Sequence, residues 1–148
     1  MQRFQFRLER VLGWRRKKCQ IEENRMAVCH GMVHATERQI EHLRVERTSI
    51  DQELLDRSAI PAVDFLNLSH YRLRASQEAI ELANQLQQRM QSASEQRARV
   101  QQAQQAVKLL EKLRERRLEE HTTLAGRELE QVAAEAYLSR WSQSRTHG

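Results

Sequence analysis

Proline occurs once in the 148 residues, glycine four times and cysteine twice, and aromatic residues make up 5% of the chain. So few turn formers exclude an all-β or doubly wound fold, whose many elements need Gly/Pro punctuation between them. So few aromatics argue against a thick globular core. No stretch of about 18 apolar residues occurs, so no membrane-spanning segment is expected. The opening MQRFQFRLERVLGWRRKK lacks the apolar centre of a secretory signal and is read as part of the fold. Neither a G-x-x-x-x-G-K-[ST] loop nor a G-x-G-x-x-G turn is present, and a chain without a cleft has nowhere to fix a catalytic set. No enzymatic activity and no cofactor are therefore expected.

Cys19 and Cys29 are ten residues apart, which on one helix is roughly 15 Å. A disulfide needs Cα atoms within about 7 Å. The two cannot pair within a helix, and a reduced, cytosolic setting is the expectation. His30 and His34 have the i, i+4 spacing of metal ligands, but Cys29 is expected in the helix seam and the histidines away from it. No third ligand converges, so no metal site is expected.

What the chain has in quantity is helix-forming Ala, Leu, Glu, Gln and Arg. Charged residues are 30%, hydrophobic residues 39%, and the mean hydropathy is −0.80. The net charge is +5, and 21 of the 25 basic residues are Arg. Residues 1–18 hold Arg3, Arg7, Arg10, Arg15, Arg16, Lys17 and Lys18 against the single acid Glu9. A basic end of this kind serves docking on an acidic protein surface, where Arg pairs bidentately with carboxylates. It also permits phosphate binding, but no aromatic array for base stacking accompanies it, and nucleic acid is not the expected partner.

Stepping by four and three residues from Leu8 gives Leu8, Leu12, Arg15, Cys19, Glu22, Met26, Cys29, Val33, Thr36, Ile40, Leu43, Arg47, Ile50 and Leu54, of which ten are apolar. A period this regular, held for seven heptads, predicts a coiled-coil helix over about 5–57. The pattern stops at Ser58–Asp64, around Pro61, where a turn is expected with Asp64 as the next N-cap. A second run follows through Phe65, Leu68, Arg72, Ala75, Ala79, Leu82, Leu86, Arg89, Ala93, Gln96, Val100, Ala103, Val107 and Leu110. It resumes at Leu118, Thr122, Ala125, Leu129, Val132 and Ala136 after a four-four step, which locally unwinds a supercoil. The second helix is expected over about 65–141, with a frayed tail at 142–148. The fold class is thus all-α: a single domain of two long helices in an antiparallel coiled-coil hairpin, the second longer and overhanging.

With the turn near Pro61, residue i faces roughly residue 122 − i, so Leu8 lies near Arg114. Residues 121–141 are then expected to project as one helix for about 30 Å from a hairpin of about 80 Å. Arg15, Glu22, Arg47, Arg72 and Arg89 fall on the seam, where charge costs stability and specifies register or serves a partner. The Gln-rich stretch 84–105 keeps its apolar spacing and is read as solvated helix. Two surfaces exceed what a two-helix seam covers. One is the tip, with Phe65, Leu66, Leu68, Tyr71 and Leu73. The other is the overhang, with Leu129, Val132, Ala133, Ala136, Tyr137 and Trp141. Both suggest a partner, or for the overhang a second copy of the chain.

The opening FRLERVLGWRR, with its Phe, a Leu-x-x-x-Leu step and a basic stretch, resembles the start of the FliJ family of flagellar type III export proteins. VKLLEKLRERRLEEHTTLAGRELEQVAAEAYLSRW (Val107–Trp141) resembles that family's C-terminal block, with the usual late acidic pair altered to ELEQVAAE. The resemblance implies a non-enzymatic stalk docked in the hexameric export ATPase, with its tip toward the cytoplasmic ring of the export gate. It also implies binding of export chaperones and a place at the inner face of the cell membrane, held there through partners. Arg7, Arg10, Arg15 and Arg16, with Lys112, Arg114, Arg116 and Arg117, would face the ATPase. Phe65, Leu66, Leu68, Tyr71 and Arg72 would meet the gate; the family's aromatic slot lies nearest Tyr71 but counts back to Arg72. Leu129, Val132, Tyr137 and Trp141 would bind a partner along the overhang. A virulence-type secretion stalk and a generic coiled-coil scaffold are the competing expectations, and a basic nucleic-acid-binding hairpin is the third.

Overall fold

The computed structural model describes residues 2–147 and holds two α-helices, α1 (Glu9–Leu55) and α2 (Ala62–Thr146), which pack on each other as a hairpin. No strand occurs among the described residues. Contacts divide the chain into two compact units. One comprises residues up to Lys18 with those from Ala103 onward; the other is Cys19–Gln102.

In the Cys19–Gln102 unit, the expected seam positions of α1 from Cys19 to Leu54 are all buried or half-buried. Leu43, Ala75 and Leu82 form its apolar centre, with Ile40, Tyr71 and Ala79 packed around them. Alanine at 75, 79 and 93 brings the backbones close and leaves little apolar area to bury, so polar layers complete the seam. Glu22 is 7% and Gln96 5% exposed. Gln96 Nε2 donates to the Glu22 carboxylate and, at 3.0 Å, to the Glu22 backbone carbonyl. Arg25 donates to the other Glu22 oxygen at 3.1 Å. Thr36 is fully buried; its hydroxyl donates to the Met32 carbonyl at 3.0 Å and accepts from Arg89. Arg89 also reaches the Met32 carbonyl at 3.1 Å. The charged seam residues Glu22 and Arg89 thus carry cross-helix hydrogen bonds that exist in only one alignment of the helices.

The turn differs in detail from the expectation. α1 ends at Leu55, where Arg57 N–H closes back on the Leu54 carbonyl at 3.3 Å. α2 begins at Ala62, because the Pro61 carbonyl accepts the first helical bond, from Phe65 N–H, at 3.1 Å. Pro61 is therefore the cap residue, a place where its missing N–H costs nothing. Asp64 lies in the first turn, where its charge suits the helix dipole. The seam also enters α2 on a different step. Leu68, Tyr71 and Ala75 are covered, while Phe65 and Arg72, both expected on the seam, are exposed. Arg72 instead pairs with Asp51 across the hairpin at 3.0 Å, close to the expected facing rule.

In the other unit, α1 starts at Glu9 rather than near residue 5. Residues 2–6 have no regular secondary structure and residues 7–8 form a turn. Phe4, Phe6 and Leu8 are half-buried in this arm. The Phe4 ring lies 5.6 Å from His121, and the Gln2 carbonyl is 3.0 Å from His121 Nε2. The arm therefore reaches past the point where the helix alone would end. Cover of α2 extends to Ala125, where the expectation placed uncovered helix from residue 121, and His121 rather than Thr122 holds the seam. From Gly126 to His147 every residue is exposed. The helix continues through Thr146, beyond the expected fraying at 142. Gly148 of that tail lies outside the described residues.

Two stability predictions follow from the polar layers. Gln96→Ala strips the buried Glu22 carboxylate of a donor and is expected to cost about 1–3 kcal/mol, whereas Glu22→Leu with Gln96→Leu is expected to be neutral or stabilising. Urea unfolding of the three proteins decides this; equal losses would show that the pair contributes nothing specific. The Tyr71 hydroxyl is buried without a hydrogen-bond partner, so Tyr71→Phe is expected to stabilise by up to about 1 kcal/mol. Burial, with the nearby Glu46 carboxylate next, raises the Tyr71 pKa above its ordinary value. The folded state thus favours the neutral phenol. Its contribution is complete below the unfolded pKa near 10 and is lost as pH rises through the folded value. Thermal unfolding above pH 10 should accordingly fall less steeply in Tyr71→Phe than in the wild type.

Candidate partner-binding surfaces

The unit formed by the arm, the start of α1 and the later part of α2 gathers the basic residues that are far apart in sequence. Arg114 donates to Glu9 at 3.1 Å, and its guanidinium carbon is 5.8 Å from the Phe4 ring centre. Arg16 pairs with Glu111 at 3.2 Å. These two cross-helix pairs bring the block 112–117 beside the block 7–18. Arg3, Arg7, Arg10 and Arg114 line one open hollow around Phe4. An adjoining groove of about 770 Å³ runs between the arm and α2, bounded by Phe6, Leu113, Arg117, His121 and Leu124. Arg117 pairs with Glu120 one turn along its own helix at 3.3 Å. Arg7, Arg10, Arg15, Lys112 and Arg116 have no ion pair among the described residues. All the ion pairs here are solvent-exposed and add little stability; what they do is fix where the remaining free charges stand.

Trp14 is half-exposed on the outer side of α1. The Arg15 guanidinium lies 5.0 Å and the Lys18 ammonium 5.3 Å from its ring centre. A half-exposed tryptophan beside cations is a typical interface anchor. The sequence reading passed over it, although its position off the seam beside two bases was the available signal. The arm itself was likewise missed, because Phe4 and Phe6 alternate with polar residues, a short extended pattern against a long helical one.

At the tip, in the other unit, Phe65 and Leu66 are exposed, Leu68 and Tyr71 are half-buried on the seam, and Arg72 is tied to Asp51. Of the two candidates for the aromatic slot, Tyr71 packs inward and Arg72 faces outward. Leu55, Ile60, Val63 and Leu73 add to the exposed apolar surface. Leu55, at 85% exposure, is the barest of them, because α1 ends there with no further turn to shelter it. Leu129, Val132, Tyr137 and Trp141 are all exposed on the last stretch of α2, joined by Leu138. Trp141 carries the Arg145 guanidinium 4.4 Å from its ring centre.

Among the described residues no group of three or more His, Cys, Asp or Glu could hold a metal ion, and no helix is long and apolar enough to cross a membrane. His34, one of the two histidines with ligand spacing, lies 3.3 Å from Glu37. Cys19 and Cys29 are free thiols, both half-buried. Burial, followed by the charge of Glu23 and a hydrogen bond to its carboxylate at 3.6 Å, raises the Cys19 pKa. The thiolate is the reactive form. Cys19 is therefore expected to alkylate more slowly at pH 8 than an unstructured cysteine, and Glu23→Gln to speed it a few-fold. Mass spectrometry of iodoacetamide time courses reads both rates, and an unchanged rate in the variant would remove Glu23 as a cause. No family model matches the chain, and no curated protein and no solved structure matches it.

Proposed function

We propose that the chain is a non-enzymatic component of the bacterial flagellar type III export apparatus, a stalk that couples the hexameric export ATPase to the export gate and escorts export chaperones, in support of flagellum assembly, motility and chemotaxis. The observation that carries this reading is the gathering of two basic blocks, Arg7–Lys18 and Lys112–Arg117, into one compact unit by the Glu9–Arg114 and Arg16–Glu111 pairs. Those two blocks belong to the two segments whose residues resemble the FliJ family. A hairpin with a thin seam also suits a protein whose surfaces act on partners.

In this mechanism the stalk carries out no phosphoryl chemistry. It touches the ATPase subunits unequally and favours the closed state in whichever subunit it binds best. The exposed cations Arg7, Arg10, Arg15, Lys112 and Arg116 supply the charge for that contact. Arg114 and Arg16 position the two helices and hold the cations at one place. The apolar tip, with Phe65 and Leu66 outward, serves the gate end. The proposed location is the cytoplasm, at the inner face of the membrane, held there by the partners.

The exposed apolar stretch after Gly126 favours a second reading, a coiled-coil scaffold that self-associates, and a virulence-type stalk shares the same physics. ATP hydrolysis by the export ATPase of the same organism separates them. Substoichiometric stimulation, near one chain for about six ATPase subunits, is expected of a stalk. Arg15→Glu with Arg16→Glu is expected to remove most of the stimulation while leaving helicity unchanged. No stimulation by the wild type, with the ATPase ring shown to assemble, would overturn the stalk.

A further inference from the structure

We infer that the start of α1 lies along an anionic lipid surface, with Trp14 as its anchor. On a helix, the surface neighbours of a side chain are the residues three and four places away on either side. For Trp14 these are Arg10, Val11, Lys17 and Lys18, three cations and one further apolar side chain. All four are exposed, and Trp14 itself is 55% exposed. No carboxylate stands among them, and Glu9, the one acid up to residue 18, is held by Arg114 at 3.1 Å. The Arg15 guanidinium and the Lys18 ammonium stand against the indole, 5.0 Å and 5.3 Å from its centre. Leu12, two residues from Trp14 and so nearly on the opposite side of the helix, is fully buried in the seam. The Trp14 face is therefore turned away from α2.

An indole and a valine ringed by cations make a small patch for a protein contact, which takes about 20–30 residues a side. The same patch fits the boundary of a bilayer. Indole rings settle at the headgroup level of a membrane. Lys and Arg lay their aliphatic stems along apolar surface and keep their charged ends outward, here at the level of the lipid phosphates. A helix with a narrow apolar strip and Lys/Arg beside it adsorbs flat on an anionic surface in this way. A charged plane takes all the bases of the face at once and needs no matching pattern of carboxylates. Nucleic acid offers the same phosphate charge, but the bases of a duplex are already stacked and give the indole no ring to lie on. The contact requires this chain alone and does not rest on the stalk reading.

Co-flotation of the purified full chain with lipid vesicles tests the contact, with circular dichroism confirming that each variant keeps its helicity. Vesicles of phosphatidylcholine mixed with phosphatidylglycerol are expected to carry the protein, and vesicles of phosphatidylcholine alone are not. Binding is expected to weaken as salt rises. A base at an anionic surface contributes about fivefold in affinity, so Lys17→Glu with Lys18→Glu is expected to lose at least about twentyfold. Arg97→Glu with Arg99→Glu makes the same change of net charge at exposed positions in the middle of α2 and is expected to lose little. Trp14→Ala is expected to weaken binding several-fold. The chain has two tryptophans, so Trp141→Phe leaves Trp14 as the reporter. Its emission is expected to shift to the blue and to resist acrylamide quenching on the anionic vesicles. No binding to those vesicles at low salt, equal binding to the neutral ones, equal losses in the two charge variants, or an unmoved Trp14 emission would each overturn the proposal. Tighter binding to a DNA duplex than to the vesicles would also overturn it and assign the face to nucleic acid.

Discussion

Two helices lying side by side shelter one stripe each, and everything else about this chain follows from how little that stripe can bury. A wide apolar seam would slide: Leu on Leu packs nearly as well one heptad along. In the Cys19–Gln102 unit the seam is narrow, built on Leu43, Ala75 and Leu82, and it is interrupted by layers that do not tolerate sliding. Gln96 must find Glu22, and Arg89 must find Thr36 and the Met32 carbonyl. Moving either helix by one residue leaves a buried carboxylate or hydroxyl without its partner, at a cost larger than a neutral hydrogen bond would gain. The polar layers contribute less to stability than to the choice of a single alignment.

In the other unit, Glu9 falls beside Arg114 and Glu111 beside Arg16, and two basic blocks separated by about a hundred residues of sequence form one surface. The same thinness leaves apolar residues with nowhere to go. Leu55, Phe65 and Leu66 at the turn, and Tyr137, Leu138 and Trp141 late in α2, remain in water. A chain of this design buries little area and leaves apolar surface displayed.

Much of the fold was legible because a seven-residue repeat is a strong constraint. Each seam position read on α1, from Leu8 to Leu54, is covered in the structure, and the turn falls at Pro61. What escaped the reading has physical causes. Phe4 and Phe6 sit directly before a strong helical repeat, and only the structure shows that α1 starts at Glu9 and that Phe4 lies against His121. Tyr71 and Arg72 are adjacent, and a repeat counted from Ala79 selects Arg72. The structure takes Tyr71, which is larger and uncharged, through a four-residue step to Ala75, and leaves Arg72 to find Asp51. Glu22 and Gln96 were visible as misfits, but that they answer each other requires the register. For the candidate surfaces, sequence showed which residues were surplus to the seam. It did not show Trp14 in contact with Arg15 and Lys18, because a contact at the surface leaves no period.

The central claim is that one narrow, polar-pinned seam carries the stability while the last part of α2 is helical without support from α1. Native-state hydrogen exchange on dilute protein measures this directly, amide by amide. Amides around Leu43, Ala75 and Leu82 should exchange only on global unfolding, and those of residues 126–147 should exchange orders of magnitude faster through local fraying. Protection of residues 126–147 equal to that of the seam, in protein shown to be a single chain, would contradict the account.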